Sequence, residues 1–162
     1  MSDVLTTRSV RVGATAAEVW ATLSALDRIS DWADNVDHST MATEQAGGIG
    51  AARRVQAGRL ALIETVTVWE PDQALAYTID GLPPLVRSVT NRWRLDGVVG
   101  GTLVSLTTAI DPGPSVRGRV GSRILGVAMA RASRQMLAGL TAQRWSGLPS
   151  GGNTDAADRS RR

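Results

Sequence analysis

The alternation of apolar and polar side chains up to residue 110 predicts β-strands joined by short turns. In the first strand, residues 4–12, the side chains of Val4, Val10 and Val12 share one side, as the two-residue period of a strand requires. Glycine, proline and aspartate residues mark the turns, and connections this short favour an antiparallel meander. Six further strands are predicted at residues 37–44, 50–56, 59–69, 74–80, 86–95 and 102–110.

Two regions of the chain follow a helical pattern instead. Thr15 and Glu18 match a capping box, which predicts a short helix there, and a second short helical segment is expected from Asp27. Residues 115–144 return to a helical period and predict one long helix, which four glycines weaken, so that packing on the sheet must hold it. The face expected to contact the sheet is formed by Val116, Val120, Ile124, Val127, Ala128, Met136 and Leu140.

The length of 162 residues fits one domain, and a hydrophobic content of 43% is enough for a single core. The chain has no cysteine, which excludes disulfides, thiol catalysis and Cys-ligated metal sites and suits a reducing compartment. No apolar run approaches the ~20 residues that span a membrane, and the N-terminus lacks a signal-peptide pattern. We therefore expect a cytoplasmic domain over residues 1–144 and a disordered, Gly/Ser/Asp/Arg-rich tail over residues 145–162.

Several short sequences form a specific set by their order and spacing. They are Ala17-Glu-Val-Trp20 with Asp27 and Trp32, Ile63-Glu-Thr-Val66 with Trp69-Glu-Pro71, Ala74-Leu-Ala-Tyr77 and Gly101-Thr-Leu-Val104. With this set, residues 4–144 resemble the START-like (SRPBCC) superfamily, in its polyketide cyclase/dehydrase and lipid-transport branch. The resemblance implies an α+β helix-grip fold: a seven-stranded curved antiparallel sheet, two short helices and a long C-terminal helix over a cavity.

Members of this superfamily include carriers, hormone receptors, cyclases and subunits of larger enzymes, so the resemblance leaves several functions open. The leading hypothesis is a non-catalytic protein that binds or carries a small hydrophobic ligand (a lipid, quinone, isoprenoid or polyketide-like compound) in the cavity, without a cofactor. The first alternative is a polyketide cyclase or dehydratase with Glu64 as acid/base and Tyr77 as hydrogen-bond donor. The second is a ligand-free adaptor that docks through its arginine-rich C-terminal helix.

Glu64 is the polar exception on the predicted inner face of its strand. Leu62 and Val66 flank it on that face, and a carboxylate among apolar side chains must be paired, hydrated or protonated. One interpretation is a group that orients a ligand or transfers a proton. The other is an ion pair within the sheet, with Arg54 or Arg92 as the partner. Plant hormone receptors of the resembled superfamily use a glutamate in a similar sequence context.

The other candidate residues lie on neighbouring strands, on one loop and on the helix. Tyr77, the single tyrosine, is either a pocket residue that offers its hydroxyl to a ligand or part of the core. Leu82 belongs to residues 81–85, which form either a gate loop over a pocket mouth or a tight turn. Both faces of strand 86–95 are mixed, which leaves its inward face undecided. The predicted ligand-binding residues are Leu62, Glu64, Val66, Tyr77, Leu82, Ser88, Leu106, Ile124, Val127 and Ala128.

The charge is unevenly distributed along the chain. Residues 1–111 hold nine Arg and 13 Asp or Glu, whereas residues 112–162 hold nine Arg and two Asp. The helix arginines either contact an anionic membrane or lie on an ordinary solvated face, and the aromatic pattern of nucleic-acid binding is missing. His38 is the single histidine, so we predict no metal site. The expected partners are a small hydrophobic molecule and, peripherally, an anionic membrane, but not nucleic acid; monomer and homodimer both stay open.

Overall fold

The computed structural model describes residues 3–84 and 86–145. The predicted tail from residue 146 onward, and residue 85 of the predicted gate loop, lie outside the described residues. The strands are β1 (Asp3–Val12), β2 (His38–Met41), β3 (Ala52–Ala57), β4 (Leu60–Glu70), β5 (Ala74–Asp80), β6 (Ser88–Val98) and β7 (Gly101–Asp111). The helices are α1 (Ala16–Ser24), a 3₁₀ helix (Leu26–Asp31) and α2 (Val116–Thr141).

The seven strands form one antiparallel sheet in the order β1-β7-β6-β5-β4-β3-β2. The strands from β2 to β7 pair with their sequence neighbours, whereas β1 pairs with β7. The sheet is curved, and the helices lie on its concave face. This arrangement confirms the α+β helix-grip fold predicted from the sequence.

The two short helices start where the sequence predicts them. The capping box is present: the Thr15 backbone N–H donates to Glu18 Oε2 at 2.8 Å, and the Glu18 backbone N–H donates to Thr15 Oγ1 at 3.3 Å. Val19 and Leu23 are the buried side chains of α1, which packs on β6 and β7. The second segment is a 3₁₀ helix that buries Leu26 in the core.

The long helix α2 lies closest to β1 and β7, and two glycines fix how it packs. A Cβ atom at Gly139 would collide with the backbone carbonyl oxygen of Trp32, and one at Gly118 would collide with that of Pro112. Both positions therefore require glycine where α2 approaches the neighbouring backbone. Among the described residues, no helix is long and apolar enough to cross a membrane.

The face that α2 presents to the sheet differs from the predicted one in its N-terminal half. Met136 and Leu140 are buried as predicted, but Val120, Ile124 and Val127 are exposed. The prediction was wrong there because close packing turns small residues towards the sheet and leaves the β-branched ones outside. The side chain of Val116 is not among those described. The buried positions of α2 are Gly118, Gly121, Ser122, Ser133, Met136, Leu137, Gly139 and Leu140.

Candidate ligand-binding site

A row of buried polar side chains crosses the concave face of the sheet and ends on α2. Strand register aligns its members, because Tyr77 pairs with Asn91, and Asn91 in turn pairs with Thr108. Every member is at most 6% exposed, although polar groups in a protein interior are costly unless they are hydrogen-bonded. We call this set the polar row; its members are Arg53 (β3), Glu64 (β4), Tyr77 (β5), Asn91 (β6), Thr108 (β7) and Ser133 (α2).

One end of the polar row is a buried ion pair. Arg53 Nε donates to Glu64 Oε2 at 2.6 Å, and Arg53 Nη1 donates to the carbonyl oxygen of Leu26 at 3.0 Å, which ties the 3₁₀ helix to the sheet. Burial disfavours the Arg53 cation, but the charges and hydrogen bonds of Glu64 and Tyr77 together outweigh this and raise the pKa of the guanidinium. Arg53 is the partner because strand pairing places it directly opposite Glu64. The predicted partners, Arg54 and Arg92, are wrong because both side chains are exposed on the other face.

Tyr77 lies at the centre of the polar row. Its hydroxyl oxygen accepts a hydrogen bond from Trp93 Nε1 at 3.3 Å, and Arg53 Cζ lies 5.0 Å from the centroid of its ring. Burial raises the pKa of Tyr77 to about 12, and the negative charge of Glu64 contributes to the rise. No hydrogen bond among residues 3–84 and 86–145 is donated by this hydroxyl. At neutral pH, Tyr77 therefore keeps its hydroxyl proton.

The titration of Tyr77 gives a direct test of this burial, because the chain has one tyrosine. Folding raises its pKa from 10 to about 12, so the unfolded chain loses the proton first. The resulting stabilisation is complete below pH 10 and falls as the pH rises from 10 to about 12. We expect tyrosinate ultraviolet absorbance to appear near pH 12 in the folded protein, and Tyr77→Phe to remove this part of the pH dependence of unfolding. If the Tyr77 hydroxyl of the folded protein titrates with a midpoint near pH 10, the buried position of Tyr77 is contradicted.

The other end of the polar row joins the sheet to α2. Thr108 Oγ1 donates to Asn91 Oδ1 at 2.7 Å and lies 3.2 Å from Ser133 Oγ. Because buried hydroxyl groups need hydrogen-bond partners, these contacts favour one rotation of α2 about its own axis. They hold Ser133 inward, and the opposite side of α2 consequently faces away from the sheet.

Burial changes along the concave face from one end to the other. On the side of the polar row that faces the β6–β7 turn, Trp32 and Trp93 pack edge to face with their ring centroids 6.0 Å apart, and both are buried. At the opposite end, the β5–β6 connection lies beside the end of β7, since Arg87 N–H donates to the carbonyl oxygen of Asp111 at 2.8 Å. The apolar side chains there are only partly buried. We call this end the mouth; its partly buried side chains are Leu62, Leu82, Val86, Leu125 and Met129.

Most of the predicted ligand-binding residues on the sheet lie on the concave face. Leu62 and Leu82 are at the mouth, and the others are buried further in. Their contact with a ligand stays a prediction, as does the role of residues 81–84 as a gate. Among the described residues, no cluster of three or more His, Asp or Glu side chains is placed to hold a metal ion. The predicted residues on this face are Leu62, Glu64, Val66, Tyr77, Leu82 and Leu106.

The orientations predicted for four residues are wrong. Ser88 is exposed, because β6 turns Val89, Asn91 and the later odd-numbered positions inward. On α2, the exposed side chains are Ile124, Val127 and Ala128, for the packing reason given above. These four residues do not line the concave face.

Four members of the polar row were not among the predicted ligand-binding residues: Arg53, Asn91, Thr108 and Ser133. Asn91 shares a strand face with Trp93 and Leu95, and the two large apolar neighbours were the available signal that this face is buried. Arg53 has no comparable signal, since Arg54 follows it directly. Ser133 is one of several small residues on α2, and nothing in the sequence distinguishes it.

A helix-grip domain with buried polar groups beneath its long helix is of the START-like, or SRPBCC, class. The family described as "Polyketide cyclase / dehydrase and lipid transport" matches residues 3–143, and the chain belongs to this family. None of the curated protein sequences matches the chain significantly.

Solved structures show the same fold at low sequence identity. The Zhui aromatase/cyclase from Streptomyces sp. R1128 superposes with a TM-score of 0.68 at 19% identity, over 84% of this chain and 90% of that one. The di-domain aromatase/cyclase BexL of the BE-7585A biosynthetic pathway gives a TM-score of 0.68 at 17% identity, over 86% of this chain and 50% of that one. Ara h 8.0201 gives 0.59 at 12% identity, over 83% and 96%. Identity this low shows the fold alone.

Proposed function

We propose that this protein binds or carries a small hydrophobic molecule in the space between the concave face of the sheet and α2. The observation that carries the proposal is the partly buried apolar mouth, which lies across the polar row from the buried pair Trp32 and Trp93. Covering apolar surface of this kind is favourable by about 25 cal/mol per Å². A lipid, quinone, isoprenoid or polyketide-like compound has the apolar body that such a surface binds.

The polar row supports a ligand that carries a polar group at one end. The Tyr77 hydroxyl is protonated at neutral pH, and it donates no hydrogen bond within the described part of the chain. A ligand carbonyl or hydroxyl oxygen can accept that proton, while the apolar part of the ligand extends towards Leu62 and Leu82 at the mouth. Few polar groups and a large apolar lining are typical of small-molecule sites.

The ion pair favours binding over acid/base catalysis by Glu64. The Oε2 atom of Glu64 lies 2.6 Å from Arg53 Nε. Protonation of the Glu64 carboxylate would leave the buried Arg53 cation without its counter-charge. A general base needs a proton acceptor that faces the substrate instead of a buried cation. We therefore assign the Arg53–Glu64 pair to the architecture of the site.

A cyclase or dehydratase is the second candidate, and one observation favours it. The Tyr77 hydroxyl can donate a hydrogen bond to a substrate carbonyl as well as to a carried ligand. The two aromatase/cyclases described above show that this fold accommodates such proteins. In that case the shape of the interior would hold the substrate in a reactive conformer.

The proposal is tested by exposing the purified protein to a panel of fatty acids, quinones, isoprenoids and aromatic polyketides. We expect at least one class to co-purify in native mass spectrometry or to raise the melting temperature, because a ligand at 100 times its Kd stabilises the folded state by about 2.7 kcal/mol. Chemical change of a polyketide during incubation supports the second candidate. No co-purifying molecule and no stabilisation by any class contradict both.

Blocking the mouth is expected to weaken ligand binding. Leu62→Trp places a large ring at the mouth, whereas Ile63→Trp places the same ring on the outer face of the same strand. With a dansyl-labelled fatty acid as the fluorescent probe, we expect Leu62→Trp to raise the Kd at least ~10-fold, which corresponds to about 1.4 kcal/mol. Ile63→Trp should bind as the wild type does. Equal affinities of the two variants would place the ligand elsewhere.

A further inference from the structure

The outer side of α2 carries an apolar stripe that is exposed in the described part of the chain. Val120, Ile124 and Val127 are 56%, 66% and 75% exposed, and their spacing of four and three residues places them on one line of the helix. Scattered exposed apolar residues are ordinary, but three aligned on one helix face form a continuous surface. We call these three residues the outer stripe.

Arginines surround the outer stripe. α2 contains five arginines and no acidic residue. All five side chains are exposed, so the outer side of this helix combines apolar contact area with a strong positive charge. The five are Arg117, Arg119, Arg123, Arg131 and Arg134.

We infer that the outer stripe and its arginines dock this protein on an anionic lipid membrane. An amphipathic helix of this kind lies in the plane of the interface, with its apolar side chains among the acyl chains and its arginines at the lipid phosphates. Long arginine side chains can reach the headgroups while their methylene groups stay in apolar surroundings. Hydrophobic burial and charge attraction then act on the same face.

A second copy of the chain fits this face less well than a membrane does. Two copies packed through their outer stripes would bring five arginines of one helix against five of the other, with no acidic residue of α2 to compensate. Such like-charge contacts oppose association. An anionic lipid surface supplies the complementary charge.

The docking surface and part of the mouth belong to the same helix, so this inference deepens the proposed function, on which it rests. Leu125 and Met129 on α2 belong to the mouth and face the sheet, whereas Ile124 of the outer stripe is exposed on the other side of the same helix. A membrane contacted by the stripe is therefore separated from the mouth by the width of one helix, about 10 Å. Docking keeps the protein at the surface that supplies a lipid-like ligand.

The inference is tested by vesicle co-sedimentation with the full chain. Vesicles of phosphatidylcholine alone are compared with vesicles of phosphatidylcholine and phosphatidylglycerol in equal amounts. We expect binding to the anionic vesicles that weakens as salt is added, because screening reduces the attraction. Replacing Arg117 and Arg123 by Gln should lower the affinity for the anionic vesicles roughly fivefold per arginine. Replacing Arg54 and Arg92 on the outer face of the sheet by Gln is the charge-matched control, and it should weaken binding much less.

The apolar contribution is tested with the triple variant Val120→Gln, Ile124→Gln, Val127→Gln. Glutamine has a higher helix propensity than valine or isoleucine, so α2 should stay folded. We expect this variant to lose at least ~10-fold in vesicle affinity. The control variant Ile49→Gln, Val99→Gln, at two other exposed apolar positions, should bind like the wild type.

Three outcomes overturn the inference: no binding of the wild type to anionic vesicles, equal binding by the triple variant, or a dimer in solution that the triple variant dissociates while vesicles are not bound. The dansyl-labelled fatty acid separates this result from the proposed function. Without vesicles, the triple variant should bind that probe as the wild type does. If the wild type binds the probe but not the vesicles, the docking surface is refuted and the ligand site is not.

Discussion

Glu64→Ala is expected to lower the free energy of unfolding by about 3–5 kcal/mol. The substitution leaves the Arg53 guanidinium buried without its counter-charge, and Arg53 is 3% exposed, so water cannot compensate. The effect extends to the 3₁₀ helix, because the same guanidinium donates to the Leu26 carbonyl oxygen at 3.0 Å. Equilibrium urea unfolding, followed by tryptophan fluorescence, measures the change.

A double-mutant cycle distinguishes an ion pair from an ordinary packing contact. Replacing Arg53 and Glu64 together by methionine removes both charges, and well-packed apolar replacements of buried ion pairs are often neutral or stabilising. The double variant should therefore unfold at a higher urea concentration than either single Met variant. If the two single losses simply add, the charges do not interact and the buried pair is refuted.

Gly139→Ala is expected to destabilise the protein by about 1–3 kcal/mol, as overpacking does. Helix propensity alone predicts the opposite sign, because alanine is favoured over glycine in a helix by about 1 kcal/mol. The packing effect wins because the added Cβ would collide with the backbone carbonyl oxygen of Trp32, which cannot rotate away as a side chain would. The C-terminal part of α2 would have to move away from the 3₁₀ helix.

The matched control for this prediction is Gly97→Ala. A Cβ atom at Gly97 meets nothing within 4 Å. Where the backbone accepts alanine, this substitution stabilises by about 0.4–1 kcal/mol through the unfolded state. The melting temperature should thus fall for Gly139→Ala, and it should stay the same or rise for Gly97→Ala. The same upward shift in both variants would show that α2 has free space at residue 139.

The sheet and the first helix could be predicted from the sequence because local chemistry determines them. Turn residues separate the strands, and strand alternation placed Leu62, Glu64 and Val66 on the inner face correctly. The capping box at Thr15 is a contact between residues close in sequence, so it needs no knowledge of the tertiary structure.

The polar row and the packing of α2 could not be predicted in the same way. Arg53 and Arg54 are adjacent, and only the pairing of β3 with β4 determines which of them meets Glu64. On α2, apolar residues occur on both sides of the helix, so periodicity alone does not identify the buried side. The buried side is determined by the close backbone approach at Gly139, where a side chain would not fit. A hydrophobicity pattern cannot reveal such a glycine.

The pairing of the first strand with the last has a consequence for how the chain is made. Thr6 pairs with Thr108, so β1 leaves the ribosome long before its partner has been synthesised. Contacts between such distant segments slow folding, since a long loop must close before they form. The nascent chain is therefore expected to keep the apolar side of β1, with Val10 and Val12, unpaired until translation has passed β7. During that interval, β1 would be a target for a chaperone that binds extended apolar segments.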